Sequence, residues 1–149
     1  MDICARIDEL IEKPLWLIDI FPHTVPPDSG GRYLAVEEHL QRHRKGINRR
    51  FANLLLKLYC YYDFVVSHSD GCVENPSPKR LLRCIERCFD GEPRKRDYIN
   101  IILPRVNAMI ILNGDDLYMM LYNPDDELKA LVKELAHSEG LFFYEAQRA

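Results

Sequence analysis

Apolar residues recur along this chain in two rhythms, one of about 3.6 residues and one of two or continuous. Ile3, Ile7, Leu10 and Ile11 lie on one helical stripe that Pro14 stops, so a helix is predicted over 2–13. Leu15–Phe21 is a short run rich in aromatic and β-branched residues, the signature of a mostly buried strand. Residues 22–31 hold three prolines and two glycines and predict no regular structure. Two helical segments follow, about 32–43 and 46–59, the second marked by Ile47, Phe51, Leu54, Leu55 and Leu58.

Residues 61–66 read as a strand by composition, and 68–77 as a polar loop. Ser77-Pro78 predicts a helix start, with the hydroxyl at the cap and proline in the first turn. Leu81, Leu82, Ile85, Cys88 and Phe89 form that helix's inner face, and Gly91 closes it. Strands are predicted over 98–103, 106–112 and 117–122, with Asn113-Gly114 as a hairpin signal. Asn123-Pro124-Asp125-Asp126-Glu127 predicts a helix start with carboxylates at its positive end. Leu128, Leu131, Val132 and Leu135 face inward, and 141–145 is a final strand.

A late meander joined by a hairpin argues against a doubly wound parallel sheet. The expectation is a single α+β domain spanning 1–149. Its sheet is mixed or mainly antiparallel, of about five to six strands, with helices packed largely on one face.

The chain has 149 residues, 47% of them hydrophobic and 29% charged, which excludes a disordered chain and suits one packed core. No apolar run approaches the roughly 20 residues of a membrane span. The N-terminus does not read as a secretory signal, so a cytoplasmic location is expected, with five reduced cysteines rather than a disulfide frame. The net charge of -3 conceals a pattern: residues 1–41 carry -5, residues 42–105 carry +7, and residues 106–149 carry -5.

Three places invite a chemical reading. The loop 22–32 leaves a buried strand and enters a helix. Ser29, the following glycines and Arg32 would offer backbone N–H groups and a cation to an anion or small molecule, with His23 and Asp28 for acid–base work. In the plainer reading, Asp28 or Ser29 simply caps the helix. The second place is the basic stretch Arg42, Arg44, Lys45, Arg49, Arg50 and Lys57, with Tyr59, Tyr61 and Tyr62 nearby to stack on bases of a nucleic acid. The plainer reading is a solvated helix face.

The third is the set of metal-ligand types: His39 with His43, and His68 and Cys72 with Cys84 and Cys88. Their spacings match no zinc pattern, and Cys88 sits on an apolar helix face, so no metal is expected. Asp115-Asp116 and Asp125-Asp126-Glu127 are explained by a turn and a helix start, held apart by a strand.

No catalytic set or cofactor motif emerges. The first expectation is therefore a non-catalytic binding or accessory module, acting through a protein partner or self-association and not on a membrane. The alternatives are an enzyme or an anion or small-molecule binder at 22–32, and a nucleic-acid binder through 42–57.

Overall fold

The computed structural model describes residues 2–89 and 97–147. Helix α1 spans Ile3–Leu10, strand β1 Leu15–Asp19, α2 Arg32–Arg42 and α3 Lys45–Tyr59. Strands β2 (Val65–His68) and β3 (Gly71–Glu74) precede α4 (Pro78–Phe89). Then come β4 (Tyr98–Leu103), β5 (Ala108–Asn113), β6 (Tyr118–Tyr122), α5 (Asp126–Ser138) and β7 (Phe142–Glu145). All strands belong to one sheet in the order β3-β2-β4-β5-β6-β1-β7, and every neighbouring pair is antiparallel. The α+β class holds, with seven strands rather than five to six.

The additional strand is β3. It is short, mostly exposed and lacks apolar alternation, so composition alone reads it as loop. It pairs back on β2 across Ser69-Asp70. The strand expected over 61–66 starts later. Tyr61 and Tyr62 instead donate their backbone N–H groups to Leu58 O and finish the turn after α3. At the β5–β6 turn, Asp116 N donates to Asn113 O. Asn75, Asn107 and Asn123 take positive φ; Asn113 and Gly114 do not.

The cap of α4 is where the sequence predicts it. Ser77 Oγ accepts from Arg80 N at 3.1 Å. The cap of α5 lies two residues beyond the expected start: Asp125 accepts from Leu128 N at 2.8 Å, while Asn123 bonds Asn107 O. Gly91 lies outside the described residues.

The sheet has two unlike faces. Ile18, Val66, Ile99, Ile101, Ile110, Met119 and Leu121 pack under Phe51, Leu55 and Leu58 of α3, Leu81 and Ile85 of α4, and Val132 of α5. The opposite face, with Val65, Ile102, Met109 and Tyr122, packs against Leu10, Ile3 and Ile7 of α1. Four of the five helices thus divide between the faces, α3, α4 and α5 on one and α1 on the other. Arg6 fastens α1 by donating to Asn107 Oδ1 and Pro104 O.

The remainder of the α1 face carries Leu17, Asp19, Tyr118 and Tyr144. They point the same way because Leu17 is registered with Tyr144 and Asp19 with Tyr118. This part lies against the 22–31 loop and α2, not α1. Helix α2 has no buried residue; Leu34 is 68% and Val36 46% exposed.

Candidate functional site: a tyrosine and carboxylate pocket

A cavity of about 320 Å³ lies between that part of the sheet, the 22–31 loop and α2. Its sheet wall is Leu17, Asp19, Tyr118 and Tyr144. Phe21, His23, Thr24 and Val25 form a second wall, Tyr33 and Glu37 of α2 a third, and Asp115, Asp116 and Leu117 of the β5–β6 turn close it. Among the described residues, four carboxylates and three tyrosines line it, and no lysine or arginine does.

Asp19 is the deepest acid. It sits in a strand whose neighbours are apolar, and it is buried. A charge there must be hydrogen-bonded. Its Oδ2 accepts from the Tyr144 hydroxyl and its Oδ1 from Phe21 N at 3.3 Å. Burial pushes the Asp19 carboxyl above the usual range, against the pull of Tyr144 and of the Phe21 and Ile20 N–H groups. Asp116 is also raised, first by burial, then by the Asp115 charge, with Arg44 opposing.

The tyrosines record the same field. Burial raises Tyr33 to about 12, reinforced by its bond to Glu37 Oε2 at 2.8 Å. Tyr118 is raised by burial and by Asp116 and Asp19, and Tyr144 by burial and its bond to Asp19. Four carboxylates and three tyrosines thus crowd one part of the fold among the described residues; the Asp115 charge adds to the rise of Asp116, and Asp116 and Asp19 add to the rise of Tyr118.

The structure separates the residues expected to converge at 22–32. His23 lines the pocket. Ser29 lines a neighbouring recess of about 210 Å³ that shares Val25 and Tyr33 with it. Asp28 and Arg32 line neither hollow and are exposed. Arg32 Nε instead donates to Ser29 O at 2.8 Å. Neither Asp28 nor Ser29 caps α2. The cap is Gly31, at φ +81, and makes no side-chain bond. Left-handed backbone at that point is what the glycine supplies.

The basic stretch also divides. Arg44 is buried and belongs to the fold. It donates to Gly114 O at 2.7 Å, Asp116 O at 2.8 Å, Asn48 and Gln41, and its guanidinium lies 4.8 Å from the Phe89 ring centre. Arg50 reaches toward Gly140 O, and Arg42 pairs with Glu38 at 2.6 Å. Tyr59 bonds Pro76 O and stacks on Phe64, and Tyr62 is buried beneath Arg105. Of the three tyrosines expected to stack on bases, Tyr61 alone stays exposed.

The His39 and His43 rings lie side by side, tilted by 44° with 4.7 Å between ring centres. Among the described residues, no group of three or more His, Cys, Asp or Glu side chains is arranged to hold a metal ion. No helix is long and apolar enough to cross a membrane, again among the described residues.

Sequence reasoning missed Asp19, Glu37, Asp115, Asp116, Tyr33, Tyr118 and Tyr144 as a set. One signal was present: Asp19 interrupts Leu-Trp-Leu-Ile-Asp-Ile-Phe, and a carboxylate inside a buried strand asks for a partner. No protein family, curated protein or solved structure matches this chain.

Proposed function

We propose that the protein is a binding module for a small organic cation, held in the pocket beneath the 22–31 loop. The observation that carries this reading is the pocket's lining: four carboxylates and three tyrosines around about 320 Å³, with His23 the only basic side chain among the described residues. A carboxylate cluster attracts any cation, but the aromatic walls select among cations. Phe21, Tyr33, Tyr118 and Tyr144 supply aromatic rings to an ammonium or guanidinium, while Leu17, Val25 and Leu117 suit its carbon body. An anion would meet repulsion from every side but His23. The 22–32 segment therefore serves as a wall and not as an anion cradle.

Binding rather than catalysis fits the chemistry. Both oxygens of Asp19 already accept hydrogen bonds, so the carboxyl is held in place on the pocket wall. Among the described residues the lining holds no cysteine, serine or lysine, the commonest side-chain nucleophiles.

The test is a thermal-shift and calorimetric series with agmatine, tyramine and spermidine against phosphate and adenosine monophosphate. A cation at 100 times its dissociation constant stabilises the fold by about 2.7 kcal/mol. The expected result is a shift with at least one cation, none with the anions, and its loss in Asp19→Asn. A shift with the anions alone, or an equal response to magnesium, overturns the reading.

A further inference from the structure

A second hollow, of about 600 Å³, runs between α3 and α4 on the other side of Arg44. Its floor is Ala52 and Leu56 from α3, with Leu82, Ile85 and Phe89 from α4. Its rim is basic, with Arg42, Lys45 and Arg49, and among the described residues Glu86 is the one acid in the lining. Lys45 and Arg49 are exposed, and among the described residues neither forms an ion pair.

The lining positions follow helical geometry. Lys45, Arg49, Ala52 and Leu56 form one stripe on α3, and Leu82, Ile85 and Phe89 one on α4. At 1.5 Å per residue the stripes extend about 16 Å and 10 Å, the length of two to three helical turns. We infer that this groove docks an acidic amphipathic helix of a partner protein, its apolar face on the floor and its carboxylates on Lys45 and Arg49.

Charge complementarity identifies the occupant. The basic rim favours an acid, and the apolar floor favours a helix face over a bare polyanion. Nucleic acid fits less well. Arg44 is buried beneath the rim, and Tyr59 and Tyr62 are engaged inside the protein, so exposed stacking platforms are lacking at the rim.

The test is fluorescence anisotropy with a labelled 20-residue designed peptide, with leucine on one helical face and glutamate and glutamine elsewhere. It is run at low and moderate salt. We expect saturable binding that weakens at least tenfold in Lys45→Glu/Arg49→Glu. Both positions are exposed, and circular dichroism confirms that the variant folds. Agmatine leaves this binding unchanged, so failure of the cation pocket and failure of the groove are distinguishable. A peptide of identical composition with its leucines scattered should bind at least tenfold more weakly. Equal binding of the scattered peptide means charge attraction alone and overturns the inference. So does tighter binding of a single-stranded oligonucleotide of equal charge, no binding of the designed peptide, or a dimer of the chain itself that the double variant abolishes.

Discussion

The two hollows lie on either side of Arg44 and are opposites in construction. The pocket beneath the 22–31 loop is walled by rings and carboxylates contributed by strands, loop, helix and turn. The α3–α4 groove is built from two helices, apolar below and basic above. In the pocket the charges are partly buried: burial raises Asp19 and Asp116, and the neighbouring Asp115 charge adds to the rise of Asp116. On the groove's rim the charges reach solvent, where screening leaves little energy in any single one. The comparison teaches that like charges cost the fold much only where water is excluded, and that a site selective for charge is built there.

The largest effect should come from the residue between them. Replacing Arg44 with alanine removes the guanidinium hydrogen bonds to Gly114 O and Asp116 O and strips the cation from Phe89. The expected loss is about 3 kcal/mol of stability in urea melts. Cation affinity should fall with it, because Asp116 sits on the turn that Arg44 holds. If Arg44→Ala weakens peptide binding alone, Arg44 belongs to the groove and the symmetry fails.

Asp19→Asn comes next. It should weaken cation binding by tenfold or more, about 1.4 kcal/mol, and leave the urea midpoint unchanged or higher. The raised carboxyl means that its charge is a burden on the folded state. A large loss of stability would show instead that Asp19 is a structural anchor for Tyr144.

A smaller effect is the pH dependence. Asp19 and Asp116 both have folded values above the ordinary 3.8. The folded state therefore holds these protons longer than the unfolded chain. Their contribution to stability is fully present below 3.8 and is lost as pH rises through the raised folded values. Asp19→Asn/Asp116→Asn should flatten that fall in urea midpoints measured across this window. Cation affinity should change in the opposite direction, growing as pH rises and the carboxyls ionise.

The smallest effect belongs to the rim. Arg42→Ala removes an exposed i,i+4 pair with Glu38 and should cost below about 0.5 kcal/mol in the same melts.

The elements were largely legible, because the apolar stripes of α3, α4 and α5 are long and periodic. The boundaries that slipped have local causes. Tyr61 and Tyr62 look like strand residues, yet their N–H groups go to the end of α3. The strand β3 carries too little apolar alternation to announce itself. The basic stretch was legible as sequence but not as surface, since nothing local distinguishes buried Arg44 from exposed Lys45. The pocket was least legible. Its members come from 17–25, 33–37, 115–118 and 144, and only the sheet register brings Tyr118 and Tyr144 beside Asp19. From the expected loop site, His23 alone reached it.

The order of the sheet places β3 at one border and β7 at the other, each only four residues long. Such borders present few unpaired backbone groups to a passing strand. Glu74 and Glu145, one on each border strand, add like charge that resists stacking of two copies. A sheet rich in isoleucine and methionine at its centre is thus fenced at both ends. At high concentration the protein should therefore resist fibril formation, even though its middle strands, taken alone as peptides, would aggregate.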